Sequence, residues 1–558
     1  MEKIWLKSYP AGVPAEIDWR QYRSVGELFE KNCALFGDRP SYHNMGATIS
    51  FAELERQSAA FGAWLQSKGL ARGARVALMM PNCLQFPVCL FGTLRAGYTV
   101  VNVNPLYTPR EMEYQLKDSG AEVIVILENF AHVLQRVQAA TQVKHVVIAA
   151  LGDRLGIKGA IVNFVVRHVK KMVPTWAIAG SQRFNDMLDE GAAKTLKPVE
   201  VGPEDVAFLQ YTGGTTGVSK GATLLHRNIL ANLEQAAAWV RPFMSEKEVQ
   251  AIITALPLYH IFSLTANCLL MLKLGGQNIL ITNPRDMPGF VKELRKHRYT
   301  MFTGVNTLFN GLLNQSGFAA LDFSSLRVTL GGGMAVQKVV ADRWKAATGC
   351  TLVEAYGLSE TSPAATINPL DMKEYNGAIG LPVPSTDISI RDDDGREVPQ
   401  GEAGEICIRG PQVMAGYWNQ PEATAAAMTA DGFFKSGDLG IMDDKGYVRL
   451  VDRKKDMLKV SGFNVYPNEI EAVVAAHPGV LECAAIGIPD EHSGEAVKLF
   501  VVKKDPALTE EALRKYCHDN FTGYKRPKVI EFRAELPKTN VGKILRRALR
   551  DETVGAGK

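Results

Sequence analysis

Five short segments of this 558-residue chain bring together residue types that could move phosphate and acyl groups. The sharpest is Tyr211-Thr212-Gly213-Gly214-Thr215-Thr216-Gly217-Val218-Ser219-Lys220-Gly221. Its glycines let successive amide N–H groups turn toward one point, and its hydroxyls and Lys220 add donors, so the loop can cradle phosphate oxygens. It lacks the Gly-Lys-Ser/Thr ending of a Walker A loop, and strand-like runs lie on both sides of it. Phosphate would then be held by a loop between strands, not at a helix N-terminus. Read alone, the same composition is also that of a flexible turn.

The other segments are weaker singly. Tyr356-Gly357-Leu358-Ser359-Glu360-Thr361 follows the apolar run Thr351–Ala355 and sets an acid among small polar groups. Such oxygens suit Mg²⁺ shared with phosphate, although solvated surface acids look alike. Gly331-Gly332-Gly333, after Val328–Leu330, permits close approach of a flat ring or a ligand chain, or makes a plain tight turn. Asp438 closes the run Asp431–Asp438 and could accept both hydroxyls of a ribose; the other reading is a turn-forming or solvated acid. Lys543, in Lys538-Thr539-Asn540-Val541-Gly542-Lys543, could carry a positive charge to a reacting phosphate. The Arg546/Arg547/Arg550 cluster behind it reads as a solvated face, and His260, a lone histidine, reads by default as a satisfied core residue.

Positioning these groups calls for alternating helices and strands. Residues 51–68 have helical apolar spacing, and a second helix covers roughly 84–97. Between and beyond them, short apolar runs at 75–80, 98–103, 122–127 and 145–149 read as buried strands. Further strands are expected at 250–255, 277–281 and 325–330, so a second α/β unit is placed near residue 205. Two doubly wound subdomains are the expected frame. From about 385 the pattern changes: Asp392-Asp393-Asp394-Gly395 and Asp443-Asp444-Lys445-Gly446, flanked by alternating runs, read as hairpins of a small β-rich subdomain. After the charged run Asp452–Asp456 an α+β tail follows. The expected fold is thus α/β, with a large N-terminal body (1–451) set apart by the charged run 452–456 from a small C-terminal α+β domain (457–558); the resemblance described below makes 452–456 a hinge and the C-terminal domain mobile.

Composition narrows the partners. Sixty-three basic and 59 acidic residues nearly cancel, which argues against nucleic acid as the main partner. What excess exists is concentrated late: residues 452–558 hold 19 Lys+Arg against 16 Asp+Glu. Eight scattered cysteines with no Cys-x-x-Cys pair suggest reduced, buried thiols and a cytoplasmic setting. No apolar run is long enough for a transmembrane helix, and the N-terminus lacks the pattern of a signal peptide.

Taken together and in order, these motifs resemble the acyl-adenylate-forming enzymes: acyl-CoA synthetases, firefly-type luciferases and peptide-synthetase adenylation domains. The resemblance spans roughly residues 25–550. Its most specific parts are Tyr211–Gly221, Tyr356–Thr361 and the long run Asp431–Glu471, which includes Val451-Asp452-Arg453-Lys454-Lys455-Asp456-Met457-Leu458-Lys459-Val460-Ser461-Gly462 and Tyr466-Pro467-Asn468-Glu469-Ile470-Glu471. The chain is most similar to the bacterial long-chain-fatty-acid–CoA ligases. The resemblance implies ATP and coenzyme A as substrates, Mg²⁺ as cofactor, and an acyl-AMP intermediate on the way to a thioester that could enter β-oxidation. It implies that Thr212–Lys220 grip phosphates and that Glu360 with Thr212 holds Mg²⁺. Asp438 and Arg453 would hold the ribose, while Gly331–Gly333 and Tyr356 would flank adenine or the acyl group. His260 would sit near the acyl carboxylate, and Lys543 would bridge carboxylate and α-phosphate. Lys455 falls on the position about which the C-terminal domain swings, and Lys459 and Gly462 would face the thioester-forming site.

A long-chain fatty acid is the expected acyl substrate, with Thr303–Phe309 and Phe262–Leu272 offering apolar walls; a medium-chain or aryl-carboxylate ligase is the alternative. A luciferase-like oxygenase is a further rival, and the absence of a carrier domain after residue 558 speaks against a peptide-synthetase module. Gly304-Val305-Asn306 departs from the Val-Pro-Thr form common in relatives. Relatives of this type are often homodimers, an expectation by analogy. Residues 152–180 mix apolar residues with Arg167, Lys170 and Lys171. Two readings stand for them: a basic amphipathic helix lying on the inner face of the cell membrane, or an insertion packed on the large domain.

Overall fold

The computed structural model describes residues 2–212, 219–245, 248–539 and 541–555, without side chains for the last two. Among them four sheets form. The first is built on Val206–Thr212, Thr99–Asn102, Arg75–Met79, Val123–Leu127 and His145–Ala149, hydrogen-bonded in that order and all parallel. Antiparallel Lys220–Leu225 lies beyond Val206–Thr212. Val123–Leu127 is buried at every position, as a parallel strand covered on both faces must be. The covering helices begin where the sequence offers caps. Ser50 accepts from the Glu53 amide ahead of Phe51–Ser67, and Thr108 and Glu111 form a reciprocal capping box ahead of Pro109–Ser119. Where Phe51–Ser67 crosses Gln85–Arg95, a Cβ on Gly92 would stand 2.6 Å from the Ser58 carbonyl, so only glycine lets these helices approach so closely.

The second sheet runs Leu381–Pro382, Ala364–Ile367, Leu352–Gly357, Val328–Gly332, Met301–Gly304, Ala251–Thr254, Gln277–Leu280, Pro40–Asn44 and Ala47–Ser50. Its six central strands, from Leu352–Gly357 to Gln277–Leu280 and Pro40–Asn44, are joined in parallel. This corrects the expected division near residue 205. Val206–Thr212 belongs to the first sheet, and the hairpin at 40–50, from the N-terminal end of the chain, completes the second. A buried apolar strand carries no mark of which sheet it joins, so local pattern could not place that boundary. The third strand expected there also starts later, at Val328 rather than Ser325.

The hairpins appear as expected. Asp387–Arg391, Gly404–Arg409, Phe434–Met442 and Val448–Arg453 make an antiparallel four-stranded sheet, with the Asp-rich turns at its ends. The C-terminal unit has five strands (Phe463–Val465, Leu458–Val460, Gly494–Lys503, Val480–Asp490 and Val529–Arg533), with Pro467–Ala475 and Glu510–Asn520 over a core of Ile470, Val474, Leu499 and Leu513. All eight cysteines are free, and all but Cys350 are buried.

Candidate active site

A cavity of about 1900 Å³ opens where the two large sheets, the β-rich sheet and the C-terminal unit meet. The carboxyl ends of the parallel strands point into this region, the usual place for ligands in open α/β sheets. One wall is the end of the first sheet. Thr212 pairs with Lys220 across the base of the glycine-rich loop, and both line the cavity. Gly213, Gly214, Thr215, Thr216 and Gly217 lie outside the described residues. Tyr211 borders the cavity too, its hydroxyl donating to Asp118 Oδ2 at 2.6 Å. Lys220 Nζ lies 4.9 Å from the centroid of the Tyr417 ring, whose hydroxyl donates to Glu360 Oε1 at 2.8 Å. Burial raises the pKa of Glu360, a cost that a cation beside it would relieve.

The opposite wall carries Asp438. The register of the β-rich sheet sets it directly across from Arg453, with Nε 3.5 Å from Oδ1, while the Tyr356 hydroxyl donates to Oδ2 at 2.7 Å. Burial raises the Asp438 pKa, and Arg453 opposes the shift. Gly332, Gly333 and Gly357 line the cavity beside these groups. Gly331 does not: a Cβ there would run into Val336 and Leu352, 2.6 and 2.9 Å away, so its smallness serves core packing.

Lys543 reaches the cavity from the C-terminal unit. Its turn is docked by Thr307, whose hydroxyl donates to the Gly542 carbonyl at 2.7 Å, and Asn310 holds the neighbouring strand Val480–Asp490 by donating to the Leu481 carbonyl at 3.0 Å. The Lys543 stem passes so near Gly333, at φ +77°, that a Cβ there would be 3.0 Å from Cε. Burial pulls the ammonium down to about 8; Arg453 adds to the effect and Asp438 opposes it. His260 also lines the cavity, not the core, and burial, then Lys543, push it down to about 3, leaving a neutral imidazole at neutral pH. Lys455 borders the cavity as well. Lys459 and Gly462 do not: both are exposed, on the hairpin Leu458–Val465, whose Leu458, Val460 and Val465 are buried in the core of the C-terminal unit.

Three features escaped the sequence reading. Tyr417, which organises Lys220 and Glu360, arrives from a strand some 200 residues along the chain from the loop it serves. Glu354, buried at the cavity edge, accepts from the Val336 amide and the Tyr375 hydroxyl, and burial pushes it up to about 8. Arg546 is no solvated residue. Its guanidinium meets Glu471 at 2.6 Å and Asp452 and Asp456 at 3.4 Å, while Arg550 meets Asp456 at 2.8 Å. Asp and Glu are common enough that spacing alone gave no signal for these partnerships.

Known proteins resemble this chain in sequence and in fold. The model of the AMP-binding enzymes matches residues 29–418, and that of the AMP-binding enzyme C-terminal domain matches 469–543. A long-chain-fatty-acid–CoA ligase of Escherichia coli O6:H1 is 57% identical over 557 residues, covering 100% of this chain and 99% of its own length. The ligase of that name from Salmonella typhimurium is 58% identical with the same coverage. Among solved structures, an anthranilate CoA ligase in complex with anthranoyl-AMP superposes with a TM-score of 0.85 at 25% identity, over 97% of this chain and 100% of that one. With both models matched in order and the likeness running end to end, the chain belongs to the AMP-binding, adenylate-forming enzyme family.

Proposed function

We propose that this protein joins long-chain fatty acids to coenzyme A, forming an acyl-AMP from ATP and releasing pyrophosphate before the thiol displaces AMP. The observation that carries this reading is the placement of Lys543 in a cavity walled by Thr212, Lys220 and Glu360 on one side and by Asp438 and Arg453 on the other. A carboxylate is a poor electrophile, and its attack on the α-phosphate brings two anions together. Positioning and charge neutralisation therefore supply most of the rate. In this reading Lys543 holds the carboxylate against the phosphate, the Thr212–Lys220 loop grips the remaining phosphates, and Asp438, with Arg453 beside it, receives the ribose hydroxyls. Gly332, Gly333 and Tyr356 flank the adenine or the acyl group, and neutral His260 lies by the carboxylate without adding charge.

Glu360 and Thr212 offer the hard oxygen donors that suit Mg²⁺. Among the described residues Glu360 belongs to no cluster of three metal-binding side chains, so an ion held there would take its other ligands from phosphate and water. Bound there, Mg²⁺ would offset phosphate charge.

Residues 1–451 and 457–558 act in this reading as two bodies that pivot at Lys455, bringing Lys459 and Gly462 to the site for the thioester step. The long acyl chain is supported by the names of the relatives and by apolar lining from Phe262, Ala266, Leu270, Val328, Leu330 and Trp239. The cavity also exceeds the roughly 300–1,000 Å³ of an ordinary small-molecule pocket, as nucleotide and long chain together require. The test is a panel of acids from acetate to oleate, with aryl acids, read by ATP-dependent AMP release and thioester formation. Highest kcat/KM is expected at the long end; a maximum at medium-chain or aryl acids would replace the proposed substrate.

No described helix is long and apolar enough to cross a membrane. Residues 157–169 combine both readings of that segment. Arg167 is clamped bidentately on Glu128, at 2.8 and 2.9 Å, while Ile157, Ile161, Phe164 and Val169 stand 94%, 63%, 59% and 65% exposed. We infer a helix fixed to the large body on one side that rests its apolar side on a lipid surface. Ile161→Asp with Phe164→Asp should abolish co-sedimentation with anionic vesicles; unchanged binding would remove this part of the reading.

A further inference from the structure

Away from the cavity, His43, Glu293 and His297 converge. His43 lies on the strand Pro40–Asn44, Glu293 in the last turn of the helix Met287–Leu294, and His297 three residues beyond its end. One ligand atom from each lies within 4.8 Å of the other two. Glu293 Oε1 is 3.0 Å from His297 Nε2 and 3.8 Å from His43 Nε2. Those separations bracket the roughly 3.3 Å edge that a tetrahedron of bonds near 2.0–2.1 Å produces. The three side chains are only 15%, 19% and 15% exposed, and none of them lines the cavity.

We propose that these three residues form a site for a late first-row divalent cation, zinc above all, with water completing the coordination. Two imidazole nitrogens and one carboxylate oxygen are the donors zinc prefers, whereas Mg²⁺ and Ca²⁺ favour oxygen alone. The surroundings prepare the donors. Thr48, directly across the hairpin from His43, takes the Nδ1 position at 2.8 Å, which leaves Nε2 facing Glu293. Burial, then His297, lower the His43 pKa, and a neutral imidazole is the binding form. Burial raises the Glu293 pKa, but hydrogen bonds from Lys296 and His297 outweigh it and keep the group ionised. Opposing charges are also present. Lys296 Nζ contacts Glu293 Oε2 at 2.5 Å, and Lys158, held on the Met45 carbonyl, adds to the positive field at His43. The cation must therefore take Oε1, the oxygen both histidines already face. Occupied, the site clips an N-terminal strand to a helix some 250 residues later in the chain.

The test is titration of the intact, chelator-treated protein with Zn²⁺ against a competing chromophoric chelator. One equivalent should bind, with a rise in Tm as the site fills. His43→Ala and His297→Ala should each weaken binding by at least about 10-fold, and Co²⁺ should show the visible absorption of a four-coordinate ion that both variants lose. Glu293→Gln, which keeps the shape of the side chain, should weaken binding without altering the circular dichroism of the metal-free protein. Basal ligase turnover without zinc should be unchanged in all three. Wild-type zinc affinity and stoichiometry in the His43→Ala/His297→Ala double variant, or in Glu293→Gln, would overturn the site.

Discussion

Lys543 and Lys459 belong to the same C-terminal unit, yet one is half-buried in the cavity wall and the other is exposed. A glycine in the left-handed region stands near each, Gly542 (φ +85°) directly before Lys543 and Gly462 (φ +83°) three residues after Lys459. A Cβ on Gly542 would meet Thr307 Oγ1 at 3.0 Å, whereas a Cβ on Gly462 would meet nothing within 4 Å. The first glycine thus answers to both backbone conformation and a docked neighbour, the second to conformation alone. One edge of the unit is engaged with the large body and the other is idle. That asymmetry is what a two-step reaction run by one swinging unit would show when held in its first step.

The comparison can be broken most directly at the two lysines. Lys543→Ala should lower acyl-AMP formation by about 10³-fold, the upper range for removing one charge-stabilising donor, and leave thioester formation from supplied acyl-AMP nearly intact. Lys459→Ala should do the reverse. Pyrophosphate exchange and single-turnover thioester assays read the two steps separately, and parallel losses in both variants would refute the division of labour.

A smaller effect is expected at the tie between the bodies. Arg546, in the C-terminal unit, spans Asp452 on the β-rich sheet and Glu471 on its own unit. Asp452 is wholly buried, and burial pushes it up to about 6 against the pull of Arg546. Breaking a buried pair costs about 3–5 kcal/mol. Because Arg546 keeps 14% of its side-chain exposure, Arg546→Met should cost less, about 2–3 kcal/mol. The urea midpoint of the C-terminal unit, followed by hydrogen exchange, should fall accordingly, and the hairpin carrying Lys459 should become less tied to its present place. A midpoint within experimental scatter of wild type would show that the cluster does not hold the pose.

Much of this frame was legible from residue order. Apolar runs located the strands, Asp-rich turns located the hairpins, and apolar spacing located the helices at 51–68 and 84–97. These signals act within a few residues, so they survive in a single sequence. Membership of a sheet does not: the hairpin at 40–50 and the strand Val206–Thr212 went to sheets that only long-range packing selects. The site divides along the same line. Thr212, Lys220, Glu360, Asp438 and Lys543 stand in distinctive local runs, and the fold brings all five to one cavity. Tyr417, Glu354 and Arg546 act through partners 57, 21 and 75 or more residues away, and nothing beside them in the chain announces it.

The smallest effect sharpens the contrast without altering the protein. Lys543 must be an ammonium to neutralise phosphate, and burial pulls its pKa down to about 8. As pH rises through that value the charged fraction is lost, so kcat/KM for acyl-AMP formation, which reports the free enzyme, should fall about tenfold from pH 7 to 9. Glu354 titrates in the same window, at about 8, and borders the same cavity. The two can be separated by sign and by substitution. Glu354 gains negative charge as pH rises, and its raised pKa stabilises the fold below about 4.5, a contribution lost progressively as pH climbs to 8. Glu354→Gln should therefore flatten the fall in Tm between about pH 4.5 and 8 and leave the kinetic limb in place. Lys543→Arg, whose charge does not titrate here, should remove the limb at a lower overall rate. If instead Glu354→Gln removed it, the alkaline limb would belong to the cavity edge and not to the lysine that the C-terminal unit inserts.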